Sequence, residues 1–503
     1  MRVLLIQPSS IVTRRGADNA IPYLPLGLGS IASVLRKADH EVQILDALTE
    51  GWGKRGKIDD DLIEIGLSEE EVAVEVRAFS PQVVGISVPF TSQAPRLRSI
   101  ARWVKAIHPE IFVVCGGNHA TSAPHDVAEI PDIDMVFLGE AERSFAKFLS
   151  KLEKGEIDVN IKGIAYRDVH GGVVVKPKMK FRDDCDSLPL PAYDLMPLKK
   201  YFKAIGKRSM PVFVSRGCEK TCSYCTTSKI FGKKTRFIPY DAVVDNIKHL
   251  LQYYGTREFT FEDDRLLSNS DYAHNLFDKL IEENLNIQWV ARNDVDPSHL
   301  DDQLLLKMKR SGGKRLHFAP QSGSRRVLKK ILKKPVDLFM LEKAIERSLA
   351  VGFKVTCHFI LGSPGETIEE VYNSLNFAWK LRSLGADEFH FSLATPYPGT
   401  GIREQAETLD GIYQFNEFRA TPYEGSISTD EINAAEIVRI RDNADREFNS
   451  RGLVMGLRQR VNTAPKPNKR LEERFFHSVA PQQPSKEVPL DKRIALTLVE
   501  ESA

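Results

Sequence analysis

Three cysteines fall within one eight-residue stretch, Cys218-Glu219-Lys220-Thr221-Cys222-Ser223-Tyr224-Cys225. A tetrahedral structural zinc site would want four protein ligands, usually as two separated pairs, and no fourth thiol follows nearby. Three thiolates on one C-x3-C-x2-C loop suit a cubane 4Fe-4S cluster, with three irons tied down and one left open. An open iron can be chelated by the amino and carboxylate groups of a substrate or cofactor. The loop follows an apolar run, Pro211 to Ser215, at the kind of strand end where α/β folds collect their sites. The alternative is three packing thiols at chance spacing.

Further polar residues stand at the ends of expected strands. Glu262, Asp263 and Asp264 would point carboxylates into one mouth and accept hydrogen bonds from an ammonium group. The competing role for Asp263 or Asp264 is to cap the following helix. Arg292 ends the next strand, where a buried guanidinium needs a carboxylate or ribose partner; a surface ion pair is the alternative. Gln321-Ser322-Gly323 and Leu361-Gly362-Ser363-Pro364-Gly365-Glu366-Thr367 close two later strands. His317, His358 and His390 fall on the fourth, fifth and sixth strands of this series. Period-two alternation from Gln321 points His317 inward, so at least one of the three is expected to line a cavity; satisfied core histidines are the competing reading. Cys357 is expected to serve packing.

Six strands separated by helical stretches position these residues: Val212–Ser215, Glu258–Glu262, Ile287–Ala291, Arg315–Pro320, Lys354–Leu361 and Glu388–Ala394. They predict a partial (β/α)6, TIM-like barrel over 206–400 with its site at the strand C-termini. Upstream, residues 2–8, 41–47, 83–89, 111–117 and 135–138 read as strands alternating with helices at Leu24–Lys37 and Pro95–Ile107. That rhythm predicts an α/β, doubly wound, flavodoxin-like (Rossmann-like) sheet over 1–150. Its strand-end loops are small and polar, and they place Ser9, Ser87, Gly116, Gly117, His119, Gly139 and Glu140 as candidate ligand contacts. Tight turns would use the same glycines, and a turn-stabilising role would use the same histidine. No G-x-G-x-x-G follows the first strand, which weakens a dinucleotide reading. Residues 151–205 read as a linker with a hairpin, and 401–503 as a helical cap and a Pro- and Lys-rich tail.

Composition sets limits on the class. The chain has 503 residues, 42% hydrophobic and 27% charged, which excludes a disordered or collagen-like protein. A net charge of +2 gives no argument for a nucleic-acid partner. The remaining cysteines, Cys115, Cys185 and Cys357, are scattered, so a reducing cytoplasm is favoured over a disulfide framework. No apolar stretch approaches the ~20 residues that cross a bilayer, and no signal peptide is apparent. The expectation is a soluble cytoplasmic protein.

With its C-x3-C-x-aromatic-C loop, the chain resembles the radical S-adenosylmethionine (SAM) superfamily. With Pro25-Leu26-Gly27 and Gly116-Gly117-Asn118-His119-Ala120-Thr121 in a preceding flavodoxin-like domain, it resembles the cobalamin (B12)-dependent radical SAM enzymes. The resemblance implies that Cys218, Cys222 and Cys225 hold the cluster and that SAM binds the open iron. It places Tyr224 near the adenine, the Glu262–Asp263 acids near the methionine amine and the glycine-rich turn with Gly362 and Pro364 against the adenine. Relatives commonly carry Glu-Ser-Gly where Gln321-Ser322-Gly323 stands; glutamine can bond a ribose hydroxyl but is no base. The B12 motif D-x-H-x-x-G is absent: Asp168-Val169-His170 begins like it, but Val173 takes the last glycine position.

What the resemblance implies is a methyltransferase that carries a methyl group from SAM through methylcobalamin to an unactivated carbon of a small molecule or lipid. A second SAM would supply the 5′-deoxyadenosyl radical, and an external flavodoxin- or ferredoxin-type donor the electrons. An oxidative cyclase like the anaerobic porphyrin ring cyclases, with a tetrapyrrole substrate, is the runner-up. A tRNA methylthiotransferase would add three N-terminal cysteines and a basic β-rich domain, which are not visible. A cluster- or corrinoid-binding sensor without turnover is the alternative of a different class.

Overall fold

A computed structural model describes residues 1–449 except 18–19, 179–180, 182–187, 409–415, 418–419, 426 and 429–430. Cys185 and the Pro- and Lys-rich tail lie outside the described residues.

The first sheet is built on near-continuous apolar runs, as parallel strands covered on both faces require. Its strands are β1 (Arg2–Gln7), β2 (Glu41–Asp46), β3 (Val83–Ser87), β4 (Phe112–Gly116) and β5 (Met135–Phe137). They run parallel in the order β2-β1-β3-β4-β5, so strand order reverses between β1 and β3. Ligands bind outside the carboxyl ends at such a reversal. The hairpin expected in the connector is present as β6 (Ile164–Arg167) and β7 (Val173–Lys176), and it extends this sheet antiparallel to β5. The fully buried Ile164 and Ala165 give the physical reason: β6 covers what would otherwise be an apolar edge. A small sheet of Ser10–Thr13, Leu62–Ile65 and Arg55–Lys57, not expected from the sequence, flanks the β1 end.

The second sheet contains β8 (Ser209–Val212), β9 (Glu258–Phe261), β10 (Gln288–Asp294), β11 (Gly313–Gln321), β12 (Lys354–Leu361) and β13 (Glu388–Leu393). All neighbours are parallel and in sequence order, with a helix in each crossover, which is the strand order of a (β/α)6 partial barrel. Two strands depart from expectation by three residues. β8 lies three residues earlier, because Ser215–Arg216 leaves it to pair with Arg236–Phe237. β10 runs on past Ala291 to Asp294, so Arg292 lies within it.

The connector is packed rather than merely spanning. Ala192, Tyr193, Met196 and Leu198 are buried in one apolar core shared by both sheets. Gly29 makes this possible, because a Cβ there would sit 2.1 Å from Met196 Cε. At the other end the helix Ala434–Asn449 covers β13, with Phe448 against Phe389 and Phe391 at ring distances of 4.9 and 5.2 Å.

Candidate active site

The cysteine loop is pinned on every side. Gly217 enters it with φ +93°, and any Cβ there would lie 2.4 Å from the Lys234 carbonyl oxygen. Asp264 accepts from the Gly217 amide at 2.8 Å. Ser223 donates its amide to Leu332 O at 2.9 Å and its hydroxyl to Ile331 O at 2.7 Å. The charged loop residues are neutralised in place: Lys220 meets Asp296 at 2.6 Å, Arg265 meets Asp296 at 2.7 Å, and Arg265 reaches Glu219 at 2.7 Å. Cys218 and Cys222 are half-buried, Cys225 is exposed, and all three are free thiols.

Burial pushes the Cys218 thiol up to about 11 and raises Cys222 as well, so these thiols ionise when metal binds rather than before. Among the described residues no three His, Cys, Asp or Glu side chains converge to hold a single metal ion. Three thiols on one half-open loop are the donor set of a cubane cluster with three irons held and one left open. Tyr224 packs into an apolar cluster with Val327, Leu328, Ile331 and Leu332. Burial raises its phenol well above the usual range.

The acidic strand end divides its labour in an unexpected way. Asn269 caps the following helix, so neither Asp263 nor Asp264 does. Asp263 instead braces the chain leading to the cysteine loop: its Oδ1 accepts from the Val214 and Ser215 amides at 2.8 and 2.6 Å, while its buried Oδ2 has no partner among the described residues. Glu262 faces an open cavity, with Arg292 Nη1 at 3.4 Å. Arg292 was expected to be buried; its side chain is 53% exposed, because β10 continues past it and turns it into that cavity. Gln321 is buried with φ +66°, a left-handed conformation few side chains adopt. Gly362 has φ +75°, and a Cβ there would meet Ile437 at 2.9 Å. The same turn, through Pro364, is closed by Glu366, which accepts from the Ser363 amide at 2.9 Å. Burial lifts the Glu366 carboxyl to about 7.

A cavity of about 1190 Å³ opens between the carboxyl edge of the first sheet and the inner face of the second. It is large against the ~300–1,000 Å³ of an ordinary small-molecule pocket. Ser87, Gly116, Gly117, Gly139 and Glu140 line it from the first sheet, as do Pro25, Leu26 and Gly27. Ser9 does not: its hydroxyl donates to Glu64 at 2.5 Å and Ser10 takes the wall position. His119 is also turned away, buried with Nδ1 3.2 Å from the Thr91 hydroxyl. An ion-pair cluster that the sequence did not signal joins the two halves. Arg216, just before the cysteine loop, meets Glu142 at 2.8 Å and Glu140 at 3.0 Å, and Arg236 meets Glu140 at 3.0 Å.

The three histidines form a ladder across β11, β12 and β13. His317 Nδ1 lies 2.9 Å from His358 Nε2, and the His317–His358 and His358–His390 rings stack at 5.1 and 5.0 Å. His317 lines the cavity together with Arg315 and Glu388. Burial pushes His317 down to about 3 and His358 to about 4, so both are neutral at ordinary pH. Cys357 points the other way and is fully buried. A buried Lys334, 2.7 Å from Asp294 and 2.5 Å from Ala319 O, links the tops of β10 and β11. The basic run at 329–334 gave no sign that this one lysine turns inward.

With this geometry in hand, the comparisons are specific. Residues 212–378 match the radical SAM superfamily and residues 20–149 match the B12 binding domain. The chain is similar to the cytidylyl-2-hydroxyethylphosphonate methyltransferase of Streptomyces wedmorensis, 31% identical over 489 residues covering 90% of each chain. It is 33% identical over 408 residues to an uncharacterized methyltransferase of Pyrococcus horikoshii, covering 81% of this chain and 83% of the other. Among solved structures, the radical S-adenosylmethionine methyltransferase TsrM from Kitasatospora setae, with cobalamin and a 4Fe-4S cluster bound, shares the fold at a TM-score of 0.65. That likeness has 18% identity and covers 82% of this chain and 76% of that one. Among the described residues no helix is long and apolar enough to cross a membrane.

Proposed function

The chain belongs to the cobalamin-dependent radical SAM enzymes and is one of their methyltransferases, and we propose that it methylates an unactivated carbon of a small polar molecule held in the shared cavity. When bound, the cluster and SAM supply a carbon-centred 5′-deoxyadenosyl radical, and cobalamin carries the methyl group. The observation that carries the reading is that cavity, which is walled by both sheets and whose lining includes Ser215 and Arg216 at the entrance of the cysteine loop.

In this reading Cys218, Cys222 and Cys225 hold three irons. Glu262, countered by Arg292, receives the SAM amine, Gln321 a ribose hydroxyl, and the Gly362–Pro364 turn with Tyr224 the adenine. Ser87, Gly116, Gly117, Gly139 and Glu140 bed the corrin, with the glycines allowing a broad ring to approach the backbone. His119, the histidine of the strand-end loops, is turned onto Thr91 and so is not among the residues that would hold the corrin. In this reading Asp263 braces neighbouring backbone, while Ser9 and His119 hold the side chains of Glu64 and Thr91 rather than a ligand. The doubly wound sheet (1–150) and the partial barrel (206–400) thus act as two walls of one chamber, with 151–205 joining them and the helix Ala434–Asn449 covering β13.

Placing the reacting groups between two walls would let bound substrate and cofactors complete the enclosure and keep water from the radical. Arg315, Glu388 and neutral His317 make the far wall polar, which supports a small polar acceptor over a lipid; the Streptomyces relative acts on a phosphonate nucleotide of that general kind. An external low-potential electron donor is part of the reading. The free, buried Cys115 and Cys357 suit a reducing, cytoplasmic setting.

The test is product analysis by mass spectrometry. The protein is produced with a cobalamin supply, purified without oxygen, and given SAM and a strong reductant. The expected result is both S-adenosylhomocysteine and 5′-deoxyadenosine, with the former dependent on bound cobalamin. 5′-Deoxyadenosine alone, with or without cobalamin, would remove methyl transfer and favour cyclase-like radical chemistry.

A further inference from the structure

The segment behind the cysteine loop has two opposite faces. Val327, Leu328, Ile331 and Leu332 are buried and pack around Tyr224, and the carbonyls of Ile331 and Leu332 receive both hydrogen bonds from Ser223. The other face carries Arg325, Lys329, Lys330 and Lys333, all exposed, along the π-helical turn Val327–Ile331 and its flanks. None of these four cations makes an ion pair or side-chain hydrogen bond with any described residue. Arg326, in the same stretch, is by contrast fully engaged, with Glu370 at 2.5 Å. Phe339 and Met340, at the start of the next helix, are 61% and 45% exposed.

Four unpaired cations on the outer face of one short segment, followed along the chain by the exposed Phe339 and Met340, form a patch suited to an acidic protein. The patch is separated from the cysteine loop by one helical turn, roughly 10–12 Å across. We propose that this face, Arg325/Lys329/Lys330/Lys333 with Phe339 and Met340, docks a small acidic one-electron carrier protein that reduces the cluster. The step is a single electron transfer: the carrier is oxidised by one electron, the cluster is reduced by one, and no bond forms or breaks. Electron-transfer encounters are small and weak and are steered by charge, as a compact cationic patch provides. The inference rests on the radical SAM reading for the presence of the cluster, and goes beyond it in naming the surface.

The test uses the reconstituted holoenzyme and a flavodoxin in its hydroquinone form. Binding is measured by biolayer interferometry at low and high salt, and cluster reduction by the loss of its visible absorbance in stopped flow. The charge-reversed variant K329E/K330E/K333E should lose on the order of tenfold in flavodoxin affinity and in reduction rate at low salt, with the difference shrinking as salt rises. Reduction of the same variant by dithionite, and its 5′-deoxyadenosine yield with dithionite, should match the unmodified protein. K329Q/K330Q/K333Q should show a smaller loss of the same sign, and it replaces the reversed variant if that one folds poorly. Unchanged flavodoxin affinity and rate in these variants would overturn the docking surface. A protein that holds no reducible cluster even with dithionite would overturn the underlying enzyme reading instead.

Discussion

Arg216 and Glu142 form an ion pair at 2.8 Å whose side chains are only 11% and 9% exposed, joining the first sheet to the strand that feeds the cysteine loop. Removing one partner of a buried pair leaves an uncompensated charge, which is costly. Because Glu140 stays near Arg216 at 3.0 Å, Glu142→Ala should cost roughly 2–3 kcal/mol rather than the full amount. Glu142→Gln, which keeps an acceptor oxygen, should cost less. Burial opposes ionisation of Glu142, but the Arg216 guanidinium outweighs it and holds the carboxyl below its ordinary value. Its contribution is therefore present above the unfolded carboxylate pKa and is lost as pH falls through the lower folded value. Urea midpoints of the cluster-free chain at several pH values check this; an Ala variant as stable as its parent at neutral pH would refute it.

Asp263 should behave in the opposite sense. Burial raises its carboxyl to about 7, and the Val214 and Ser215 amides only partly offset that. The folded chain holds this proton where the unfolded chain has released it, so the group costs stability as pH rises from about 4 to about 7, and the cost is constant beyond. Asp263→Asn keeps an oxygen for the two amides and removes the charge. It should gain on its parent steadily between pH 5 and pH 7. Asp263→Ala strands two buried N–H groups and should lose about 2 kcal/mol. A gap between Asn variant and parent that does not change with pH would sink the assignment.

How much of this was readable in the chain follows from how local each signal is. The cysteine spacing, the strand order of the barrel and the small polar loops after β3, β4 and β5 are local patterns, and the structure carries all of them. Asp263, Ser9 and His119 were read as ligand contacts because they stand at strand ends, but position does not tell which way a side chain turns. Asp263 meets backbone 48 or 49 residues away, and Ser9 meets Glu64 across the small sheet. The Arg216–Glu142 pair spans 74 residues, and nothing in either neighbourhood announces the other. Lys334 hides in a basic run whose other lysines are exposed. His317 does line the cavity, but the strand breaks its register between Phe318 and Gln321 and Gln321 does not share that wall, so alternation counted from Gln321 is not what put it there.

The histidine ladder gives a prediction that separates acceptor binding from SAM chemistry. His317 lines the cavity, with its Nδ1 committed to His358 at 2.9 Å, and in the proposed reading its other nitrogen serves the acceptor. Losing one hydrogen bond to the acceptor, worth about 1 kcal/mol, should lower methylated product about fivefold. 5′-Deoxyadenosine formed without acceptor should be unaffected in His317→Ala. His390→Ala should change little, since that ring is 45% exposed and lies at the outer end of the ladder. Equal product from the His317 variant and its parent would leave the ladder as packing only. The ladder also carries an acid-lability signature. Burial holds His317 and His358 below the unfolded histidine value, so the unfolded chain takes up protons that the folded chain refuses, and stability falls as pH drops below about 6.5.

Gln321 offers a test in which stability and binding should move in opposite directions. Its φ of +66° places a side chain in the left-handed region, at a cost of about 1–2 kcal/mol. Gln321→Gly relieves that strain, although glycine also makes the unfolded chain more flexible, so the net gain should be no more than about 1 kcal/mol. A strained residue at a strand end points to use of its side chain, which in the proposed reading is a hydrogen bond to the SAM ribose. The glycine variant should therefore be at least as stable as its parent by denaturant midpoint and yet bind SAM about fivefold more weakly by equilibrium dialysis of the reconstituted protein. Gln321→Glu should restore the hydrogen bond but place a carboxylate in a site only 8% exposed, lowering stability of the SAM-free protein at neutral pH. If Gln321→Gly binds SAM as tightly as its parent, the backbone conformation serves the Ser322–Gly323 turn alone, where Gly323 must pack so close to Asn373 O that a Cβ would lie at 2.2 Å.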